Sequence, residues 1–164
     1  MAARILVAYA TKLGSNREIA ETIVGVLAAA GHTAEARPVR DVRTLAGFDA
    51  VILGSALYAA HWQRDANKFV ERHRAALAER RLWLFSSGPL DARLAVSNLP
   101  ITAHAAEITD GLGAIEHRTF GGRLLADADI DPQVLKTHQI GDFRPWAQIH
   151  DWAQSIARQL DAAE

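Results

Sequence analysis

Apolar positions along the chain follow two alternating patterns. Short runs that are apolar at consecutive positions occur at Arg4–Tyr9, Ala50–Leu53 and Leu82–Phe85, as expected of strands buried on both faces. After the first run, Ile19, Ile23, Val26, Leu27 and Ala30 recur at helical spacing in a segment that opens at Ser15 or Asn16 and closes at Gly31. A short, more polar strand at Thr33–Pro38 suits a position nearer a sheet edge. A second helix is predicted over Asp65–Ala78, with Phe69, Val70, His73 and Leu77 facing inward, and a third over Ala103–Leu112. A fifth strand lies within Ala114–Leu125, interrupted by Gly121-Gly122. The last helix starts near Pro145 and carries Trp146, Ile149, Trp152 or Ala153, Ile156 and Leu160 on one side.

Strands alternating with helices at this spacing require a parallel sheet with helices on both faces. Right-handed crossovers then leave few topologies, of which an α/β, doubly wound, five-stranded sheet is favoured. No repeat, low-complexity tract or linker interrupts residues 1–164, so a single domain is expected.

In such sheets ligands bind beyond the carboxyl ends of the strands, which directs attention to three loops. The first, Thr11-Lys12-Leu13-Gly14-Ser15-Asn16, joins a strand to a helix, and Ser15 and Glu18 stand at capping-box spacing. Free backbone N–H groups, the helix dipole and the Thr11 and Ser15 hydroxyls would converge there on a phosphate. An ordinary strand-to-helix turn with the same composition is the competing reading. Neither a Walker loop nor a G-x-G-x-x-G fingerprint is present. The second loop, Gly54-Ser55-Ala56-Leu57-Tyr58, offers backbone polar groups beside Leu57 and Tyr58, which suit a flat ring. Trp62 either joins that wall or is a core residue at the head of the second helix. The third, Ser86-Ser87-Gly88-Pro89-Leu90, combines close backbone approach at Gly88 with stiffness at Pro89. A phosphate at loop one and a flat heteroaromatic ring between loops two and three describe a mononucleotide.

Composition narrows the chemistry. The chain has 164 residues, 49% of them hydrophobic and 23% charged, and a formal net charge of −1, which gives no general grip on nucleic acid or anionic membrane. There is no cysteine, so thiolate catalysis, disulfides and iron–sulfur ligation are excluded and redox chemistry needs a bound cofactor. With a ring clamped by backbone polar groups, that cofactor is read as flavin mononucleotide, FMN. No apolar run approaches the roughly 18–20 residues that cross a bilayer, and the amino-terminal run is too short for a signal peptide. A cytoplasmic location and no integral membrane association are expected. The seven histidines show no metal-ligand spacing with supporting carboxylates. His61, just past loop two, is the one placed where a proton donor to a flavin would sit. Arg64, Lys68, Arg72 and Arg74 read as a solvated basic side of the second helix, and Arg93 as a position for an anionic substrate.

The three loops in this order resemble the flavodoxin pattern, which implies the strand order 2-1-3-4-5. The chain is most similar to the flavodoxin-type, menaquinone-dependent protoporphyrinogen IX dehydrogenases. Gly14-x-x-Arg17-Glu18-Ile19-Ala20 resembles that subgroup's first helix, and the spacing from Gly54 through His61 to Phe69-Val70 its third strand and second helix. The resemblance implies that Thr11, Gly14, Ser15 and Asn16 bind the FMN phosphate with backbone help from Lys12 and Leu13. It also implies that Ser55, Ala56, Leu57 and Tyr58, with Ser87, Gly88, Pro89 and Leu90, flank the isoalloxazine. The chain departs from the subgroup at Leu125–Gly141, which is short and carries Asp127, Asp129 and Asp131 in place of an apolar-basic segment.

Three functions follow from this reading. The first is an FMN-dependent oxidoreductase acting on a porphyrinogen or another reduced small molecule. The second is a flavodoxin-type electron carrier with a redox partner protein, a role for which carriers are usually strongly acidic. The third is a flavin-free binding domain that keeps the fold. A signalling receiver is disfavoured, because acids are missing at Tyr9-Ala10-Thr11 and at Leu53-Gly54.

Overall fold

The computed structural model of the chain describes residues 2–88 and 100–163. Pro89, Leu90 and Arg93 lie outside the described residues. In chain order the elements are β1 (Arg4–Ala10), α1 (Ser15–Ala29), β2 (Thr33–Pro38), β3 (Ala50–Tyr58), β4 (His61–Trp62), α2 (Arg64–Ala78), β5 (Arg81–Ser87), α3 (Ala103–Leu112), β6 (Glu116–Phe120), β7 (Arg123–Leu124), α4 (Pro132–Thr137), β8 (Gly141–Asp142) and α5 (Trp146–Ala162). A short 3-10 turn at Val39–Asp41 follows β2.

Five parallel strands form the sheet in the order β2-β1-β3-β5-β6, with β4 added antiparallel to the end of β3. This is the doubly wound order expected from the sequence. Alternate residues of each central strand serve opposite faces, as the period-2 geometry of a strand requires. Ile5, Val7, Tyr9, Ile52, Trp83 and Phe85 pack against α1 and α5 through Ile19, Ile23, Leu27, Ile149, Trp152 and Ile156. Leu6, Ala8, Val51, Leu53, Leu82 and Leu84 face α2, whose Phe69, Val70 and Leu77 cover them with Val39, Val42 and Leu45. Two-sided burial is what made these strands read as continuous apolar runs.

Chain order reverses between β1, whose crossover leads outward to β2, and β3, which lies on its other side. The strand ends flanking that reversal are where a doubly wound sheet leaves a crevice. Here β3 runs five residues beyond the predicted Leu53, to Tyr58, and folds back as a hairpin into β4. The predicted fifth strand is divided into β6 and β7 at Gly121-Gly122. A β-carbon on Gly121 would stand 2.1 Å from the Phe143 carbonyl oxygen, and the Phe143 N–H donates to the Gly122 carbonyl at 2.8 Å. The glycine pair therefore admits the backbone that follows β8.

Among the described residues no helix is long and apolar enough to cross a membrane.

Gly54 lies in the middle of β3 beneath the edge-on ring of Phe85: a β-carbon there would meet that ring at 2.0 Å. Phe85 is fully buried and also contacts the Phe120 and Trp152 rings, so it has no room to retreat. Gly54→Ala is expected to lower stability by about 1–3 kcal/mol, measured as a lower midpoint in urea unfolding with an unchanged slope; an unchanged midpoint would contradict this packing.

Candidate functional site

The carboxyl ends of β1, β3 and β5 bring the three loops to one edge, where a cleft of about 540 Å³ opens. That volume is within the range that holds drug-sized and cofactor-sized ligands. Of the residues picked out from the sequence, Lys12, Leu13, Ser15, Ala56, Leu57, Tyr58, Ser87 and Gly88 line it.

Loop one is shaped by Gly14 at φ +82°, a left-handed conformation that favours glycine, immediately before the first helical residue Ser15. The expected capping box does not form: Gly14, not Ser15, occupies the cap position, and it has no side chain to cap with. Glu18 turns away from the helix start to accept from Arg123 at 2.8 Å and Arg144 at 3.2 Å. A capping Glu has to reach back to the cap residue's N–H, and two guanidinium groups outcompete one amide for a carboxylate. The N–H groups of Lys12, Leu13, Gly14 and Ser15 donate to no described residue. Those of Gly14 and Ser15 are donors that every helix start leaves unsatisfied, and those of Lys12 and Leu13 belong to the loop before it.

The remaining loop-one residues form the support beneath. The Asn16 side chain is fully buried; its amide N–H donates to the Ala10 carbonyl at 2.9 Å and its oxygen accepts from the Ser87 hydroxyl. Thr11 accepts from the Asn16 N–H at 3.5 Å. Ser55 is buried too, its hydroxyl accepting from the Gln63 N–H at 3.0 Å and donating to the Ala56 carbonyl. Thr11, Gly14, Asn16 and Ser55 thus set the loops rather than line the cleft.

Trp62 is a core residue. It is 3% exposed, and its indole N–H donates to Ser86 Oγ at 2.8 Å, which ties the β3–β4 hairpin to β5. The Ser86 proton is then free for His117 Nε2, 2.8 Å away on β6, which assigns the neutral tautomer carrying its proton on Nδ1. Burial pushes the His117 imidazole down to about 4. Tyr58 is the aromatic on the wall, half exposed, with Lys12 Nζ 4.9 Å from its ring centroid. The hairpin turn is Ala59-Ala60, both at positive φ (50° and 65°). Asn or Gly ordinarily fills such a two-residue turn, and alanine there stores strain at the cleft mouth.

His61 is exposed on β4 and does not line the cleft; its ring stands edge-on to that of His104, 4.8 Å between centroids. Arg64, Lys68, Arg72 and Arg74 lie exposed along α2, as a solvated face. Sequence reasoning missed Arg123, Leu124, Ile130, Val134 and His138, which with Gly122 close the far wall of the cleft. All of them follow β6, and Ile130, Val134 and His138 belong to the Leu125–Gly141 stretch that departs from the expected pattern. The charged side chains on the wall are Lys12 and Arg123, and among the described residues no carboxylate lines it. No group of metal-ligating side chains occurs among the described residues.

Unfolded, His117 titrates near 6.5, against about 4 in the fold. Between those values the unfolded chain takes up a proton that the folded chain refuses, so stability falls as pH drops through this window and is level above it. Burial lowers His73 and His104 as well, the latter with help from His61, so His117 carries part of the effect. His117→Gln, which keeps an acceptor for Ser86, is expected to recover up to about 3 kcal/mol of the stability lost between pH 6.5 and 4. Urea unfolding across that range measures it; an unchanged pH profile would contradict the assignment.

A family model described as a flavodoxin domain matches residues 6–127. No curated protein matches the sequence. Among solved structures, a flavodoxin from the domain Archaea is similar at a TM-score of 0.66 and 14% identity, over 96% of this chain and 99% of that one. The two-electron reduced flavodoxin of Megasphaera elsdenii gives 0.65 and 16%, over 94% and 98%. The rubredoxin oxygen:oxidoreductase of the anaerobe Desulfovibrio gigas gives 0.67 and 14%, over 97% of this chain and 36% of that one. This chain therefore spans about a third of that enzyme's length, and at these identities the likeness is one of fold.

Proposed function

Because the chain belongs to the flavodoxin domain family, whose cofactor is FMN, we propose that it is an FMN-dependent oxidoreductase with its cofactor at the carboxyl edge of the sheet. The observation that carries this reading is one cleft lined by two chemically different sets of groups. The free N–H groups of Lys12 to Ser15 suit a phosphate, and Leu57 and Tyr58 form an apolar and aromatic wall, with Lys12 Nζ 4.9 Å from the Tyr58 ring centroid. The residues fit the group in size and in donor chemistry.

In this reading the amides of Lys12 to Ser15 hold the phosphate and Asn16, through Ala10 and Ser87, keeps their loop in place. Ala56, Leu57 and Tyr58 on one side and Ser87 and Gly88 on the other orient the ring, joined by Pro89 and Leu90 of the third loop. FMN supplies the redox chemistry, which a chain without cysteine lacks in its own side chains. The protein contributes orientation and electrostatics.

Two features favour a small-molecule reaction over an electron carrier. The net charge of −1 gives little steering toward a basic partner, and the wall carries Lys12 and Arg123 with no carboxylate among the described residues. A porphyrinogen as the reduced substrate is supported by the resemblance at Gly14 to Ala20 and Gly54 to Val70 alone. Arg17 of that run pairs with Glu21 on the exposed face of α1.

The test is anaerobic mixing of the FMN-loaded protein with reduced nicotinamide, with protoporphyrinogen and with a reduced redox protein, while the visible flavin absorbance is followed. Bleaching that saturates with one of the small molecules is expected. Bleaching by the reduced protein alone would make the chain a carrier and overturn the enzyme reading.

A further inference from the structure

Beside loop one lies an ion network that the sequence pattern did not reveal. Arg144, whose side chain is 3% exposed, donates to both carboxylate oxygens of Asp142, at 2.8 and 2.7 Å. Its Nη1 reaches the Ser15 carbonyl at 3.1 Å and Glu18 Oε1 at 3.2 Å. Arg123 donates to the same Glu18 oxygen from Nη1 at 2.8 Å, and its Nη2 lies 3.4 Å from the Leu13 carbonyl.

We propose that Arg123 is a side-chain ligand of the phosphate monoester held at loop one, delivered by β7 to a site whose other donors are backbone amides. The proposal rests on the FMN reading and adds to it a charged residue specific for the phosphate end of the ligand.

Arg123 lines the cleft beside Lys12, Leu13 and Ser15, the residues with free N–H groups. Its Nη2 comes within 4.0 Å of where a β-carbon on Gly14 would stand, so the guanidinium reaches the turn itself. Two of its five donors have partners among the described residues, and the one to Leu13 is long. The side chain is 20% exposed, enough to turn toward the cleft.

The charge arrangement makes that turn inexpensive. Two guanidinium groups, of Arg123 and Arg144, face two carboxylates, of Glu18 and Asp142. Arg144 holds Glu18 and Asp142 together, so Glu18 keeps a cationic partner when Arg123 swings to an anion. Arg144 is the positioning residue of the set. Left without Arg144, Glu18 would hold Arg123 back and would itself stand at the site as a repelling negative charge. A phosphate dianion matches the planar fork of an arginine better than the point charge of Lys12.

The experiment compares the affinities of FMN and riboflavin, which lacks the phosphate, for the wild type and for Arg123→Gln and Arg123→Lys, by flavin fluorescence titration. Arg123→Gln is expected to weaken FMN about 10- to 100-fold, as for loss of a hydrogen bond between charged groups. Riboflavin affinity should stay within about twofold, Arg123→Lys should fall between, and the salt dependence of FMN binding should become shallower in Arg123→Gln. Equal weakening of FMN and riboflavin would make Arg123 a wall residue and overturn the proposal, as would an unchanged FMN affinity in Arg123→Gln. A wild type that binds neither flavin would instead overturn the FMN reading on which the proposal stands.

Discussion

The site depends on how the buried carboxyl edge of a parallel sheet satisfies its polar groups. Strands that end side by side present carbonyls and hydroxyls to an interior with little water, and each needs a partner. Asn16 meets most of that requirement at the centre: fully buried, it joins the last residue of β1 to the last residue of β5 through Ala10 and Ser87. Ser55 does the same between β3 and the residue before α2, and the row Trp62–Ser86–His117 links β4, β5 and β6. Neutral His117 belongs to that row, because only an unprotonated Nε2 accepts from Ser86. The floor of the cleft is thus a set of neutral hydrogen bonds, rigid and without charge of its own.

Charge enters from above. Lys12, Arg123 and the Glu18–Arg144–Asp142 group lie about the start of α1, while Leu57, Tyr58, Ile130 and Val134 give the cleft its apolar surface. A ligand with an anionic terminus and a flat hydrophobic body matches that combination. The division of labour follows from the fold: the sheet sets the position, the loops supply donors, and the segment after β6 supplies the variable wall.

Much of this was legible in the sequence for a physical reason. Strands buried on both faces show as unbroken apolar runs and amphipathic helices by their period, so β1, α1, α2, β5, α3 and α5 declared themselves. The handedness of the crossovers narrowed the topology to a doubly wound sheet, and the strand order came with the resemblance of the three loops to the flavodoxin pattern. The β3–β4 hairpin was not legible, because its turn is Ala59-Ala60 at positive φ and lacks the Asn or Gly that would mark it. α4 and β8 were missed because they are short and α4 buries no side chain, so neither leaves a hydrophobic period. The site shows the same division. Loop one was found by its local composition, but the capping box at Ser15 and Glu18 was overridden by Arg123 and Arg144, more than 100 residues away in sequence. Ion pairs of such separation leave no local pattern.

The central claim is that this cleft holds FMN. The most direct measurement is the visible spectrum of the protein as purified, with the mass of the released small molecule and its amount per chain. A flavin spectrum with FMN released at about one per chain is the predicted result. A colourless protein that also fails to take up added FMN would contradict the account at the level of function and leave only the fold.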